Sequence, residues 1–417
     1  MSQNDNNQNF INNIKARIGY FEFVALLASL MAINAIAIDI MLPAMHQMGD
    51  SLQIAQENDQ HYIIFSYLIG FGLAQIALGP LSDRFGRRKP LIFGLFIYSI
   101  SALLCVFATN FTFLLVLRVI QGIGAAATRV LIISIIRDLY DGREMAKVMS
   151  IVIMIFMMVP TIAPALGQGL LFLGSWKTIF LFMAICGIAL SFWTYYRLPE
   201  TLYRSRALDL KTIAKSFKIV CTNRISLCYS LAFSLILGGL FASLNTAEQV
   251  YNGIYELGTL FPAAFAAVAL SQAVSSYINS KLVIRLGMHR ISHSMLILFC
   301  IISAIWFVAS SFGEISFPLY MILCMSVMYC FGSIGANFNS LSMEPLGEVA
   351  GTASALFGFM QTIIGALIGL FIAQHFNHTT TPIACGFLIV GLLALCLVLY
   401  AEKGRLFQPT HDNEVLK

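Results

Sequence analysis

A chain of 417 residues that is 59% hydrophobic and only 11% charged is not a water-soluble domain, which carries roughly 25% charged residues. It reads as an all-α integral membrane protein whose apolar surface is solvated by lipid. The net charge of +5 reflects where the bases sit and not affinity for nucleic acid, and the nine cysteines lie in or beside apolar runs with neither metal-ligand nor secreted-framework spacing.

The Asn/Gln-rich start, 1–13, has no basic region ahead of an apolar one and is expected to be a cytoplasmic tail, not a cleavable signal. Twelve apolar runs follow, at 20–43, 61–80, 90–108, 111–136, 146–172, 177–197, 223–247, 257–279, 293–312, 317–341, 350–374 and 381–401. Each is near the roughly 20 residues a helix needs to cross the hydrocarbon. The expected organisation is an N-terminal tail (1–19), a six-helix bundle (20–200), a charged central linker (201–222), a second six-helix bundle (223–402) and a C-terminal tail (403–417). With the N-terminus inside, 22 of the 25 Lys and Arg fall on inner segments, while the loop holding Asp50, Glu57 and Asp59 has no base. The positive-inside rule therefore predicts that both termini are cytoplasmic.

Gly79 to Lys89 packs one acid and four bases between uncharged runs of 19 and 28 residues, so it predicts a tight loop at the inner face. Within it, Arg84-Phe-Gly-Arg-Arg88 is echoed 201 residues later by Arg285-Leu-Gly-Met-His-Arg290, with Ile284 where the first copy has Asp83. Pro164-Ala-Leu-Gly-Gln-Gly169 is weakly mirrored by Gly365-Ala-Leu-Ile-Gly369. A duplicated six-span unit is the mark of a two-bundle transporter working by alternating access.

Three charged residues lie well inside the spans: Asp39, Arg118 and Arg129. Charge within the bilayer is costly and is a functional hypothesis by default. Asp39 precedes the outer end of span 1 and Arg118 follows the outer start of span 4, so the two can meet in the outer half. A carboxylate whose proton affinity changes with conformation is what proton antiport needs. The alternatives are a solvated or capping Asp39 and an Arg118 that ties spans together. Arg129 lies three turns beyond Arg118 on the same face as Gly122, a small and polar face that reads as the wall of a substrate cavity. Arg129 is read either as a contact for an anionic substrate or as a base that reaches toward the cytoplasmic interface or pairs with Asp138. The second half offers amides instead, among them Gln272, Asn337 and Gln361, as substrate contacts or as hydrogen bonds between helices. Pro160, Pro164, Gly167 and Gly169 give span 5 a bendable outer half. In the loop, Asp83 is placed to accept from helix amides or from an Arg, with Gly79 and Gly86 constraining the turn. The histidines, His61, His289 and His293 among them, fall near span ends and read as interfacial. Nothing in the chain suggests an enzyme, a metal or a cofactor.

The stretch Gly79 to Lys89 resembles the loop 2–3 signature of the major facilitator superfamily, and Leu117-Arg118-Val-Ile-Gln121-Gly122-Ile-Gly124 resembles its span 4 motif. Ala163-Pro164-Ala-Leu-Gly167-Gln-Gly169 resembles its antiporter signature, with Gln168 where a Gly is common. Four further pieces resemble the bicyclomycin-resistance (Bcr/CflA) drug:proton antiporters: Asp39-Ile-Met-Leu-Pro43, Gly70-Phe-Gly-Leu-Ala-Gln75, Arg197-Leu-Pro-Glu-Thr201 and Gly351-Thr-Ala-Ser-Ala-Leu-Phe-Gly358. The resemblance implies two pseudo-symmetric bundles and proton-coupled efflux of small amphipathic molecules across the bacterial inner membrane. Asp39 and Arg118 would handle the proton, and Gly79, Asp83, Arg84, Gly86, Arg87 and Arg88 would act in gating with the span 5 residues. Arg129 departs from the family's small or apolar residue. It favours an alternative, a dedicated exporter of an endogenous metabolite such as a siderophore or an amino-acid-like carboxylate. The expected partners are a small-molecule substrate, protons and membrane lipid, and a monomer is expected.

Overall fold

The computed structural model describes residues 11, 14–15, 17–140, 142–203 and 210–407. Most of the N-terminal tail, Arg204 and Arg206 of the linker, and the end of the C-terminal tail lie outside them. Among the described residues the structure is helical, with no strand. Twelve helices are long and apolar enough to cross a membrane. They are α1 (Tyr20–Asp39), α2 (Tyr62–Phe85), α3 (Arg88–Cys105), α4 (Phe111–Leu139), α5 (Gly142–Leu173), α6 (Trp176–Arg197), α7 (Arg224–Glu248), α8 (Phe261–Leu286), α9 (Met288–Ser311), α10 (Phe317–Met343), α11 (Ala350–Gln374) and α12 (Thr381–Ala401). A shorter helix, Leu210–Thr222, occupies the linker. The chain divides into two compact units between Leu210 and Lys211.

The duplication seen in the sequence is also a duplication of packing. In the first unit α1 packs on α5, α2 on α4, α3 on α4 and α3 on α6; in the second, α7 packs on α11, α8 on α10, α9 on α10 and α9 on α12. The loop between the second and third helices is duplicated to the level of backbone angles. Gly86 (φ 87, ψ 171) ends α2 and Gly287 (φ 79, ψ 156) ends α8. Positive φ is the conformation glycine adopts without strain, and it stops a helix.

Small residues make the tightest seams. Association in lipid relies on close backbone approach and not on hydrophobic exclusion. A Cβ at Gly122 would overlap the Tyr67 carbonyl, and one at Gly70 would overlap the Val119 carbonyl, so α2 and α4 touch backbone to backbone. Gly94 and Gly124 do the same for α3 and α4. This gives the span 4 glycines a packing role and moves Gly122 off the cavity wall expected of it.

Several ends differ from the sequence reading. α2 continues through Pro80 to Phe85, so Gly79 lies inside a helix with open space around it, and the turn rests on Gly86 alone. Span 1 ends as an α-helix at Asp39, four residues before the expected bound at Pro43. After Asp39 the chain passes through a 3₁₀ turn at Leu42–Ala44 into a short helix, Met45–Ser51. There Trp176 at the start of α6 donates its backbone N–H to Gln47 (2.9 Å) and its indole N–H to Ser51 (2.7 Å). Span 9 begins at Met288, five residues before the expected start, and its first turn carries His289 3.5 Å from Glu402. His293 and His61 are fully buried, not interfacial.

Candidate functional site

Asp39 is the last residue of α1 and only 4% exposed. Its carboxylate makes no hydrogen bond or ion pair with any described residue. The carbonyl of the next residue, Ile40, lies where a Cβ of Gly167 would be, and Pro43 is the next neighbour. Thus α5 crosses α1 immediately beside Asp39, and only glycine permits that approach. α5 itself is helical through both Pro160 and Pro164, whereas Gly169 has open space around it. Adding a methyl to a filled contact typically costs about 1–3 kcal/mol. Gly167→Ala is therefore expected to lower the thermal midpoint and slow transport, read by melting and vesicle uptake side by side.

Arg118 does not pair with Asp39. Its side chain is fully buried and is held by three acceptors. Nη2 donates to the Ala37 carbonyl (3.1 Å), Nε to the Ile63 carbonyl (3.3 Å) and Nη1 to Gln121 Oε1 (2.7 Å). The guanidinium also stacks over Tyr67 at 4.6 Å and Phe180 at 5.9 Å. Ala37 is two residues from the end of α1, where helix carbonyls lose their own donors. A cation at that negative helix end is favourable. Arg118 thus caps α1 and ties it to α2, α4 and α6, one of the two readings the sequence left open.

A polar chain continues from Tyr67 between α1 and α4. Its hydroxyl donates to Asn34 Oδ1 (3.3 Å), and Asn34 Nδ2 donates to Thr128 Oγ1 (2.6 Å). Asn34, Gln121 and Thr128 are buried and were missed by attention to charge alone. An Asn in the middle of the run Leu30 to Ile40 was the available signal. Beside Thr128, Arg129 is half-buried. Its guanidinium lies 6.0 Å from the centre of the Phe71 ring and has no hydrogen-bond or ion-pair partner among the described residues. It does not pair with Asp138, which belongs to Arg87.

Two of the amides named from the sequence, Asn337 and Gln361, are used between helices. Asn337 Nδ2 donates to Asn279 Oδ1 (2.7 Å) and to the Ser333 carbonyl (2.9 Å), and Gln361 Nε2 donates to Asn339 Oδ1 (2.9 Å). Ser275 and Ser333 extend the α8–α10 seam at 2.7 Å. Gln272 is half-buried, and its carbonyl packs where a Cβ of Gly332 would be.

The loop after α2 is centred on Arg87, which is 3% exposed. It pairs with Asp83 one turn back (2.7 Å) and with Asp138 at the end of α4 (2.8 Å), and donates to Ser82 Oγ. Burial works against the guanidinium charge, but Asp138 and then Asp83 outweigh it and raise Arg87 above the ordinary arginine value. Of the two partners the sequence offers Asp83, it takes the Arg, and the helix amides go to Glu200. Its carboxylate takes the N–H of Arg87 (2.8 Å) and of Arg88 (3.2 Å) at the start of α3. A carboxylate there completes the unpaired amides at the positive helix end. Arg88 stacks on Tyr195 and donates to its carbonyl, and Arg84 lies over Phe85. All of these contacts are within the first unit.

A six-helix unit repeated within one chain, with polar seams between helices that otherwise face lipid, is the construction of a two-bundle membrane transporter. The chain belongs to the Major Facilitator Superfamily, whose family model matches residues 27–370. It is 27% identical over 372 residues to the bicyclomycin resistance protein homolog of Haemophilus influenzae, covering 87% of this chain and 91% of that protein. It is 27% identical to the chloramphenicol resistance protein of Pseudomonas aeruginosa, covering 97% of each. A solved structure of a mutant of the nucleoside transporter NupG has the same fold, with a TM-score of 0.69, 14% identity, and coverage of 92% of this chain and 99% of that one.

Proposed function

We propose that the protein exports small amphipathic molecules across the bacterial inner membrane in exchange for protons, as a monomer with both termini in the cytoplasm. The observation that carries this reading is Asp39, buried without a partner at the point where α5 crosses α1 at Gly167. A lone buried carboxylate charge costs several kcal/mol. A bound proton removes that cost, and rehydration when α5 moves restores the charge. Proton binding is thereby linked to helix movement. The drug-resistance names of the relatives support efflux, and the 22 inner-segment bases support the orientation. Arg118 is assigned as a positioning residue that holds the end of α1, and Arg87 with Asp83, Asp138 and Glu200 as a clamp at the inner face. Reconstituted protein with an imposed pH gradient tests the function. Adding chloramphenicol or bicyclomycin is expected to collapse the gradient, as read by a pH dye inside the vesicles. A gradient indifferent to both and to a wider drug panel would refute multidrug antiport.

Arg129 favours a second reading, a dedicated exporter of an anionic metabolite, because its guanidinium is left without a counter-charge within its unit. A hydrogen bond to a charged partner contributes about 1.5–3 kcal/mol. Arg129→Ala is thus expected to weaken transport of carboxylates by roughly tenfold or more while leaving neutral compounds little changed, as read by competition in vesicles. Equal loss for both would reduce Arg129 to a packing role.

A further inference from the structure

The inner end of the second unit holds a buried cluster of titratable groups that the transport reading does not use. Tyr229 of α7, His293 of α9 and Glu402, just past α12, are all buried. Phe407 donates its backbone N–H to His293 Nδ1 (3.0 Å), His293 Nε2 lies 2.9 Å from the Tyr229 hydroxyl, and that hydroxyl donates to Glu402 Oε1 (2.6 Å). His289, one turn before His293, lies 3.5 Å from the same carboxylate oxygen and is partly exposed. The Phe407 ring also packs on His293 at 5.9 Å.

The directions of these bonds are forced. A backbone N–H only donates, so Nδ1 of His293 accepts and carries no proton. The neutral ring then carries its proton on Nε2, which donates to the Tyr229 oxygen, while the Tyr229 proton goes to Glu402. The chain from Phe407 to Glu402 is complete only with His293 neutral. A proton added to the imidazole has one place to go, Nδ1, where it would meet the Phe407 N–H donor to donor.

We propose that His293 is a proton-binding site whose occupation releases the segment 403–407 from the inner end of α7 and α9. The comparison between units supports it. In the first unit Glu200, following α6, accepts the amides at the start of α3, and Arg87 is clamped by fixed charges. At the corresponding positions the second unit has Ile284 for Asp83, Met288 for Arg87 and His289 for Arg88, and Glu402 faces imidazoles instead. A permanently charged clamp is replaced by one that is complete only while an imidazole stays neutral. Among the neighbouring groups, Glu344 from the end of α10 and Cys228 on α7 also act on Tyr229. Arg224 lies over Tyr400 at 5.9 Å, and Lys403 and Arg405 are exposed.

Hydrogen exchange of the full chain in nanodiscs, followed by mass spectrometry of peptides covering 402–407, tests this. After correction for intrinsic exchange, protection is expected at pH 8 and is expected to fall at least tenfold by about pH 5. His293→Gln abolishes that pH dependence. His289→Gln and Asp39→Asn retain it, the latter separating tail release from the transported proton. Protection that is absent at pH 8, or unchanged from pH 8 to pH 5 in the unaltered protein, overturns the proposal without recourse to any variant. So does the same pH response in a folded His293→Gln.

Discussion

Asp39→Asn is expected to abolish uphill, proton-driven export in inverted vesicles while leaving the protein folded and able to exchange substrate for substrate. The amide has nearly the shape of the carboxyl but takes up no proton and bears no charge. Asp39 has no protein partner to lose, so the substitution leaves no orphaned donor or acceptor behind. In the buried state the bound proton already leaves Asp39 neutral, so the neutral amide replaces a neutral carboxyl of nearly the same shape, and the thermal midpoint should hold. The three readouts separate the explanations. Loss of uphill transport with exchange retained assigns Asp39 to coupling. Loss of both with a lowered midpoint would make it structural, and unchanged uphill transport would place the coupling acid elsewhere.

The residues that sequence reasoning located best are those whose signal is local. Twelve apolar runs, the base-rich loops and the 201-residue echo depend only on neighbours along the chain, and the helices, the Gly86 and Gly287 turns and the repeated pairings follow from them. What was not legible is where each polar group finds its partner. The sequence lets Asp83 accept from helix amides or from an Arg. It takes Arg87, while the amides go to Glu200, more than a hundred residues on, whose carboxylate reaches Arg87 and Arg88 only after α6 packs on α3. Asp39 and Arg118 were brought together by depth along two helices, yet depth says nothing about azimuth. The guanidinium reaches the backbone of α1 at Ala37 and leaves the Asp39 side chain unpaired. Gly122 looked like a cavity wall because small residues serve both for cavities and for close packing, and only the Tyr67 carbonyl beneath it decides between them. Position near a span end suggests an interface for His293 because an imidazole counts as polar whatever surrounds it, and the fold buries it against Tyr229 and Phe407.

Arg118→Ala is expected to be the most destabilising single change in the first unit. It removes a fully buried side chain and strands the carbonyls of Ala37 and Ile63 and the Gln121 amide oxygen, all of which now accept from it. A buried acceptor left unsatisfied costs about 1–3 kcal/mol, and the cavity under Tyr67 and Phe180 adds to that, so a loss of roughly 3–5 kcal/mol is reasonable. Arg118→Lys keeps the charge but not the planar fork. One ammonium cannot reach acceptors on α1, α2 and α4 together, and its stability should fall between the two. Thermal unfolding in detergent, ranked against substrate exchange, checks this. If Arg118 positions the end of α1, the three proteins rank in the same order in stability and in exchange, and Asp39→Asn breaks that parallel by losing coupling alone. If Arg118→Ala melts with the unaltered protein while losing only uphill transport, the guanidinium acts on the proton directly. The capping role would then give way to an electrostatic one.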